Sequence, residues 1–368
     1  MKILSVCERL QDDAYSWRVK NILGQLGVHG NSVKLVENYS LSRQNWLSKM
    51  FHFPVSMVRT LGEACGDSYD LIYGNSQAMA YCLLGGFGRI PLVFDMHGFP
   101  AEEYRLQSLA YGKAAARNPS YLGRVLANRL ELALSDTIVC VSKTQMIMLG
   151  KSYRIPREKM VYATNGVDVS FFTPHSNAET RDLRKSIGLD GKLVFGYIGS
   201  VDKSSNNWLG VQQVIKTAQA IQDSEVGFLI VGGRASQRSG NLVIVKRQPR
   251  DRLNEYYAAC DVLVLPLAKH TSMNIASPTK FAEYAAVGRP IMSTDVGDPP
   301  DFIRRSDCGM IIPDFETDTM IEAIMRFKEM SSGRLNQMGA RSRILAEQSF
   351  DWNKIGVTLS KALLKYQR

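Results

Sequence analysis

The sequence predicts an α/β protein built from two doubly wound, Rossmann-like domains that face a central cleft. Short apolar runs of strand length alternate with longer amphipathic runs, which is typical of β–α–β units in a parallel sheet. This alternation stops at a turn-rich segment near the middle of the chain and then starts again. The chain has 368 residues, 45% of them hydrophobic, which is enough for two domains of ordinary size.

The predicted strands fall into two groups. They are KILSVC, SVKLV, DLIYG, PLVFDM and DTIVCVS in the first half, and KLVFGYIGS, VGFLIVGG, NLVIVK, DVLVLP, RPIMST and GMIIP in the second. The segment TNGVDVSFFTPHSNAETRD lies between the groups and is rich in turn formers, which predicts a linker. We therefore predict domains at residues 1–170 and 191–350, a linker at 171–190 and an amphipathic terminal helix at 351–368.

The composition restricts the partners and the compartment. A formal charge of +10 favours an anionic partner, which is nucleic acid, an acidic membrane surface or a phosphorylated small molecule. The six cysteines form no CxxC pair and the five histidines are dispersed, so we expect reduced thiols and no metal site. The apolar part of MKILSVCERL is too short for a signal peptide, and no run of about 18 apolar residues appears, which predicts a cytoplasmic protein.

The stretch SPTKFAEYAAVGRP, residues 277–290, indicates a binding site. Ser277 is a good N-cap, Pro278 suits the first helical position and Gly288 suits the end of a helix. A helix that follows a parallel strand points its positive N-terminus into the cleft. Lys280 would add a further positive charge there, and the combination suits a phosphate or diphosphate.

Glu283 lies six residues after Ser277 in the same predicted helix. Its carboxylate could accept hydrogen bonds from a ribose diol. The alternative is that Lys280 is a solvated surface residue and that Glu283 is its ordinary i,i+3 partner. The spacing alone leaves both interpretations open.

Several motifs together resemble a known family. NGVDVSFFTP, followed later by DVLVLP and SPTKFAEYAAVGRPIMSTDVGDPPDFI, is similar to the GT-B glycosyltransferases of the large family-four group, and PLVFDMHG, DTIVCVS and FDW extend the likeness over nearly the whole chain. The resemblance implies an acceptor bound mainly by the first domain, a nucleotide sugar bound mainly by the second, and a C-terminal helix that crosses back to the first. It also implies metal-independent transfer with retention of anomeric configuration.

The same resemblance assigns roles to single residues. Glu283 matches the second Glu of the family's E-x7-E pattern, which holds the ribose, and His97 matches the His that reaches toward the donor sugar. At the place of the first Glu the chain has Ile275, with Asn274 beside it. An isolated His is more often a structural residue, so His97 depends on this match.

The family usually carries an Arg and a Lys that grip the diphosphate, and this chain has Ser200 and Asn206 in those places. Lys203 lies in the same loop and could replace them; the alternative is an exposed loop charge. The predicted catalytic residues are His97 and Lys280, and the predicted donor-binding residues are Ser200, Lys203, Asn274, Ser277, Lys280 and Glu283. No cofactor is expected besides the donor substrate.

The acceptor is predicted only as a class. The segment SRQNWLSKMFHFPVSMVRTLG mixes aromatic and basic residues, which suits an interfacial helix on anionic lipid, unless its apolar residues face the core. We therefore expect a saccharide or lipid-linked acceptor of the cell envelope, with the protein on the inner face of the membrane. A non-catalytic nucleotide-sugar-binding subunit is the alternative, because the Arg/Lys pair is missing. Nucleic-acid binding is not expected, since only the charge supports it.

Overall fold

The computed structural model of the chain describes residues 1–11, 13–38, 46–82, 90–111 and 119–367. Within these ranges it leaves out the side chains of residues 46–51, 77, 80, 81, 110, 119, 120, 177 and 178. The membrane prediction for Arg43, Trp46, Lys49, Met50 and Phe51 therefore lies outside what the structure describes.

The first half of the chain forms a six-stranded parallel sheet. Its strands are β1 (Lys2–Glu8), β2 (Ser32–Asn38), β3 (Leu71–Asn75), β4 (Leu92–Met96), β5 (Thr137–Cys140) and β6 (Met160–Tyr162), in the spatial order β2-β1-β3-β4-β5-β6. The central strands are apolar on both faces because helices cover both sides of the sheet.

The second half forms a seven-stranded sheet in the order β13-β12-β11-β7-β8-β10-β9. Its strands are β7 (Leu193–Ile198), β8 (Val226–Gly233), β9 (Gln237–Ser239), β10 (Leu242–Lys246), β11 (Val262–Leu265), β12 (Ile291–Thr294) and β13 (Gly309–Ile312). Only the edge strand β9 is antiparallel. Every strand predicted from the sequence is present, and the short strands β6 and β9 are additional.

Helices flank both sheets, as the alternating pattern predicts. In the first half they are α1 (Ala14–Val28), α2 (Trp46–Gly66), α3 (Met79–Cys82), α4 (Pro100–Ala110), α5 (Pro119–Leu134) and α6 (Lys143–Tyr153). In the second half they are α7 (Asn177–Ser186), α8 (Trp208–Ala220), α9 (Leu253–Ala258), α10 (Thr271–Asn274), α11 (Thr279–Ala286), α12 (Pro299–Ser306), α13 (Thr317–Lys328), α14 (Ser332–Ser349) and α15 (Trp352–Leu363). None of the described helices is long and apolar enough to cross a membrane.

Each sheet has two hydrophobic cores because successive residues of a strand point to opposite faces. In β1, Leu4 and Val6 pack with residues of α2, α5 and α6, whereas Ile3 packs with residues of α1 and α15. In β7, Phe195 and Tyr197 pack with α8 and α13, and Val194 and Ile198 pack with α9, α11 and α14. The sheets are therefore buried on both sides.

The two connections at the ends of the second half differ in how well they were predicted. The terminal helix α15 buries Ile355, Leu359 and Leu363 against the first sheet, so it crosses back to the first half as expected. The segment predicted as an irregular linker contains helix α7. This helix begins at a capping box in which Ser176 and Glu179 exchange hydrogen bonds, a start signal that the linker prediction did not include.

Candidate active site

A cavity of about 470 Å³ lies between the carboxyl edges of the two sheets. The first half contributes the start of α1, including Trp17, and residues after β6, including Asn165. The second half contributes Gly199 after β7, Arg250 after β10 and Lys280 in α11. This is the edge at which parallel sheets usually bind ligands.

Helix α11 directs its N-terminus into this cavity, but its cap differs from the prediction. The helix begins at Thr279 with Pro278 as the N-cap, and no side chain caps it. The Ser277 hydroxyl instead accepts a hydrogen bond from the backbone N–H of Asn165 over 3.1 Å and is hydrogen-bonded to Thr164 over 2.7 Å. Ser277 is therefore not the N-cap; it ties the second half to the end of the first sheet. Gly288 ends the helix in a left-handed conformation, as predicted.

Lys280 lies along the end of strand β7. A side chain at Gly199 would come within 2.1 Å of the Lys280 Cε, so the lysine packs directly against the backbone of this glycine. The Lys280 Nζ is 5.7 Å from the centre of the Tyr197 ring. Burial lowers the pKa of Lys280 below its usual value of 10.5, and the charge of Glu283 opposes this shift. No carboxylate of the described residues forms an ion pair with Lys280, so its charge is available to an anion.

Glu283 is buried on the wall of the cavity and is held from two sides. Its Oε1 accepts a hydrogen bond from Arg250 over 3.1 Å, and its Oε2 accepts one from the Tyr257 hydroxyl over 2.6 Å. Burial raises the pKa of Tyr257 well above its usual value, and the Glu283 carboxylate raises it further, so this phenol remains a donor. The lysine and the glutamate are three residues apart in sequence, yet they form no ion pair in the described structure, contrary to the simple surface alternative.

Arg250 was not predicted as a site residue. Its guanidinium stacks 4.5 Å from the centre of the Trp17 ring and 5.0 Å from that of Phe172, so it bridges the two halves of the chain. Arg247 also lines the cavity. Both arginines follow β10 in the run KRQPR, and the position of that run at the carboxyl end of a parallel strand is the signal that could have identified them.

A buried ion pair supports the first-half wall of the cavity. Arg18 in α1 donates hydrogen bonds to Asp95 at the end of β4, and also to the carbonyl of Thr164 and the side chain of Asn165. Burial alone would raise the pKa of Asp95, but the charges of Arg18 and His97 outweigh it and hold this pKa below its usual value. Arg18 thus fixes the loop that contacts Ser277.

His97 lies behind this ion pair and does not line the cavity. Its Nε2 is 3.4 Å from the Asp95 carboxylate, and its ring packs 5.1 Å from that of Tyr15. Burial lowers the pKa of His97, against the attraction of Asp95. Beyond that carboxylate its ring nitrogens have no hydrogen-bond partner among the described residues. Asp95 and Arg18 therefore connect His97 to the wall of the cavity.

The other predicted residues are divided between the cavity and its surroundings. Ser200 lines the cavity, together with Lys280 and Glu283. Lys203 is exposed, lies 5.2 Å from the centre of the Tyr111 ring and does not line the cavity. Asn274 is exposed and accepts a hydrogen bond from the backbone of Gly297. The structure thus brings three predicted residues together and leaves Lys203, Asn274, Ser277 and His97 outside the lining.

Ile275 and Asn206, which differ from the family pattern, have structural roles here, and Asp298 makes a further contact between the two halves. Ile275, in the place of the expected Glu, is buried in the hydrophobic core of the first half. The side chain of Asn206 accepts a hydrogen bond from Gln107 of α4 over 3.2 Å. Asp298 accepts hydrogen bonds from the backbone N–H groups of Lys143 and Thr144 at the start of α6. These contacts join the two halves beside the cavity.

The cavity is suited to an anionic ligand that also carries hydroxyl groups. Lys280, Arg247 and Arg250 supply positive charge, and the uncapped N-terminus of α11 adds the positive end of a helix dipole. Glu283 provides a fixed acceptor for a hydroxyl. A side chain at Gly232 would come within 2.1 Å of the Gly199 carbonyl oxygen, so the ends of β7 and β8 lie close together and their backbones face the ligand space.

Two Rossmann-like sheets with a cavity between their carboxyl edges make up the GT-B fold. The model described as Glycosyltransferase Family 4 matches residues 21–171, and the one described as Glycosyl transferases group 1 matches residues 192–329. Together the two matches cover most of the chain. The chain belongs to this family of glycosyltransferases, as the sequence motifs suggested.

Individual relatives are distant. The chain is 19% identical over 340 residues to the D-inositol 3-phosphate glycosyltransferase of Corynebacterium urealyticum, covering 86% of this chain and 77% of that protein. It is 25% identical over 295 residues to the protein of the same name from Thermobifida fusca, covering 73% and 63%. It is 24% identical over 229 residues to the putative teichuronic acid biosynthesis glycosyltransferase TuaH of Bacillus subtilis, covering 58% and 55%.

Solved structures show the same fold over the whole chain. Sucrose-phosphate synthase from Thermosynechococcus elongatus superimposes with a TM-score of 0.76 at 15% identity, covering 99% of each chain. HepE from Anabaena, solved in complex with UDP, superimposes with a TM-score of 0.72 at 18% identity, covering 99% of this chain and 100% of that one. At these identities the likeness establishes the fold.

Proposed function

We propose that the protein transfers a sugar from a nucleoside-diphosphate sugar to a saccharide or lipid-linked acceptor, with retention of anomeric configuration. The observation that carries this proposal is the placement of Lys280, Glu283 and the N-terminus of α11 on one wall of the cavity. The helix N-terminus and Lys280 suit a diphosphate, and the Glu283 carboxylate, three residues further along the same helix, suits the hydroxyls of the ribose next to it. The Anabaena neighbour was solved with UDP, which supports a donor of this class.

In the proposed complex the diphosphate lies at the N-terminus of α11, beside Lys280. The ribose hydroxyls donate to Glu283, whose carboxylate is already oriented by Tyr257 and Arg250. Gly199 and Gly232 present backbone instead of side chains, so the phosphates can approach the ends of β7 and β8 closely. The sugar then points toward the first half of the chain, where the acceptor binds.

The reaction breaks the bond between the anomeric carbon and the β-phosphate oxygen, and the bond to the acceptor oxygen forms on the same face. Negative charge grows on the departing phosphate, where Lys280 and the helix dipole stabilise it more in the transition state than in the bound donor. The acceptor proton passes to the departing phosphate oxygen. No metal ion is required in this scheme, because the protein itself supplies the positive charge.

The carboxylates that line the cavity support a same-face mechanism over a carboxylate nucleophile. Asp13 accepts a hydrogen bond as the N-cap of α1, and Asp202 accepts one from Arg234 over 2.9 Å. Glu283 is held by two donors. A double displacement needs a carboxylate that can approach the anomeric carbon. Each of the three carboxylates in the described lining already accepts a hydrogen bond from another protein group, which disfavours a role as the nucleophile.

His97 has a supporting place in this proposal. Its ring is buried with a lowered pKa, so it is neutral near pH 7 and can donate one hydrogen bond to a sugar hydroxyl. It reaches the sugar only if the neighbouring loop moves on binding, since it does not line the present cavity. The membrane face and the acceptor class also belong to the proposal. One relative is named as a D-inositol 3-phosphate glycosyltransferase and another as a putative glycosyltransferase of teichuronic acid biosynthesis, which supports a saccharide or other hydroxyl-bearing acceptor.

A non-catalytic nucleotide-sugar-binding subunit is the second candidate. Ser200 and Asn206 replace the usual cations, and Ile275 replaces an acidic residue and is buried in a core. Such a protein would bind the donor and leave it intact. The catalytic proposal predicts slow hydrolysis of the donor by purified protein in the absence of acceptor, which the binding subunit would lack.

A panel of nucleotide sugars read by thermal unfolding tests the proposed function. A donor present at 100 times its dissociation constant adds about 2.7 kcal/mol to the free energy of unfolding, which is readily measured. The matched control is Glu283→Gln, which should lose most of that stabilisation. No shift with any nucleotide sugar would exclude both candidates, and a shift without hydrolysis or transfer would favour the binding subunit.

A further inference from the structure

The outer face of α5 is almost entirely apolar. From residue 121 to 134 its exposed positions are Leu122, Gly123, Leu126, Arg129, Leu130, Ala133 and Leu134. The four leucines are 59%, 61%, 46% and 50% exposed, in chain order. Val125 and Leu132 of the same helix pack inward against the first sheet. The helix therefore has apolar side chains on two opposite faces, and the core of the domain accounts for only one of them.

The arrangement of these leucines indicates the shape of the surface that they fit. Leucines four residues apart are turned by about 40° at each step, so the four cover an arc of about 120° along about 18 Å of helix. A partner helix in a coiled coil contacts a narrower stripe, with apolar residues alternately three and four positions apart. A broad arc suits a flat apolar layer, such as the boundary between lipid headgroups and acyl chains.

The charges on α5 match an anionic lipid surface. Arg129 is exposed among the leucines, and Arg124 is partly exposed with its guanidinium 5.4 Å from the centre of the Tyr104 ring. The one acidic residue between 121 and 134, Glu131, is 3% exposed and lies on the inner side. The outer face of the described helix thus presents positive charge and no carboxylate.

The position of α5 relates this face to the cleft. The helix leads into the amino end of β5, so it runs back along the sheet and its first turns lie at the carboxyl edge, where the cavity opens. Helix α2 packs against the same side of the sheet and also exposes Val55 and Val58. By contrast, its Phe53 and Met57 pack against the core, so the described part of α2 fits the core alternative better than the membrane prediction.

We propose that the face formed by Leu122, Leu126, Leu130, Leu134 and Arg129 docks the protein on an anionic lipid bilayer. The helix then lies in the plane of the headgroup layer, and the mouth of the cavity is close to the lipid surface. A lipid-linked acceptor would reach the cavity from the lipid surface. This purpose of the face rests on the proposed function, which includes such an acceptor. The docking itself requires no donor chemistry.

Flotation with vesicles tests this proposal. The wild-type protein should float with vesicles that contain phosphatidylglycerol and much less with vesicles of phosphatidylcholine alone. The double variant Leu126→Ser, Leu130→Ser should partition at least about tenfold more weakly, because two half-exposed leucines are lost from the contact. Arg129→Gln should reduce the sensitivity of binding to salt.

The matched control is Ile147→Ser, Ile344→Ser, which removes two isoleucines of 56% and 50% exposure from α6 and α14 and should float like the wild type. Equal flotation of the wild type and the α5 double variant would overturn the proposal. The proposal would also be overturned if the wild-type protein binds no vesicles and forms a dimer, measured by light scattering, that the α5 double variant does not form. A second copy of the chain would then cover the face.

Nucleotide affinity is measured on the same samples to separate the two proposals. A protein that binds nucleotide sugar but no phosphatidylglycerol vesicle would overturn the docking face and leave the proposed function intact. A protein that floats with the vesicles but binds no nucleotide sugar would overturn the proposed function and leave the docking face intact. The α5 double variant should keep wild-type nucleotide affinity, which also shows that it is folded.

Discussion

The guanidinium of Arg250 donates a hydrogen bond of 3.1 Å to the carboxylate of Glu283, on the wall of the cavity between the two sheets. Tyr257 donates to the other oxygen of the same carboxylate over 2.6 Å. Two donors fix the plane of the carboxylate, so a ribose would meet an acceptor that is already oriented. The role predicted for Glu283 therefore acquires two supporting residues.

The first prediction concerns this carboxylate. Glu283→Gln should weaken binding of the free nucleoside diphosphate by about 10- to 150-fold, since a hydrogen bond to a charged group contributes about 1.5–3 kcal/mol. Calorimetric titration measures this directly. Glu255→Gln, in an exposed ion pair with Arg252, is the control and should bind like the wild type. Wild-type affinity of the Glu283 variant would rule out the ribose contact.

The second prediction concerns Lys280 as the main cation for the leaving phosphate. Lys280→Ala should lower kcat more than it raises KM, because the charge that the lysine faces grows in the transition state. Lys280→Arg should restore only part of the rate, since the larger planar guanidinium would have to shift from the position that the lysine takes against Gly199. Steady-state kinetics of sugar transfer provide both constants.

Lys203→Ala is the control for this experiment, because Lys203 lies over the Tyr111 ring outside the cavity lining. It should keep kcat within about twofold of the wild type, in line with a surface substitution. A loss as large as that of the Lys280 variant would show that the loop after β7 closes over the donor and shares the charge. If Lys280→Ala has the kinetics of the wild type, Lys280 is a partly buried surface charge without a role at the leaving phosphate.

The third prediction follows from the lowered pKa of Lys280. An anionic ligand favours the charged form, so binding raises this pKa again. Below the pKa of Lys280 in the ligand-free protein, the lysine is charged before and after binding, and its contribution to the affinity is constant. Above it the protein must take up a proton to bind, and affinity falls by up to tenfold per pH unit. The fall should begin below pH 10.5, the usual lysine value.

Titration of the nucleoside diphosphate at a series of pH values, in buffers of different ionisation enthalpy, measures both the affinity and the proton uptake. Lys280→Met should bind weakly at every pH and lose the proton uptake assigned to the lysine. A wild-type pH profile in this variant would mean that a group other than Lys280 takes up the proton.

Much of the fold follows from local patterns in the sequence. Strands such as PLVFDM and DVLVLP are short and apolar throughout because helices cover both faces of a parallel sheet, and that pattern is visible without the structure. Gly288 ends α11 in a left-handed conformation that glycine adopts readily. Lys280 and Glu283 occur within one helix, so their joint placement could also be predicted.

Contacts between distant parts of the chain could not be predicted in the same way. The Ser277 hydroxyl bonds to the backbone of Asn165, which only the packing of the two halves brings near, and so Ser277 does not cap its own helix. Arg250 reaches Glu283 because β10 ends, and α11 begins, at the same edge of the sheet. The position of the Lys203 side chain depends on the course of its loop, which no local sequence pattern determines. The structure places this side chain over the Tyr111 ring.

The fourth prediction concerns metal ions. Helix α11, Lys280 and the arginines supply positive charge at the leaving phosphate, so transfer should continue in the presence of excess chelator. The measurement is the initial rate of transfer with and without EDTA, using donor freed of divalent ions. If activity vanishes with EDTA and returns with magnesium or manganese, a cation is part of the mechanism and the electrostatic account of the cavity is incomplete.

The fifth prediction concerns stability and uses Glu131, the buried acid of α5. Burial raises the pKa of Glu131 to about 8, and the hydrogen bond that Asn128 donates to it opposes the shift only in part. The usual value, which applies to the unfolded chain, is 4.5. Between these two pH values the folded protein holds a proton that the unfolded chain has lost.

The stabilisation that comes from the protonated Glu131 is therefore fully present below pH 4.5 and is lost as the pH rises to about 8. Glu131→Gln keeps the shape and a hydrogen-bonding group without the ionisation, so at pH 8 it should raise the free energy of unfolding by roughly 1–3 kcal/mol. At pH 5 the two proteins should differ much less. Urea denaturation at both pH values measures the difference, with Glu322→Gln in an exposed ion pair as the control. If Glu131→Gln changes stability equally at pH 5 and pH 8, the raised pKa is wrong and the carboxylate is ionised within the fold.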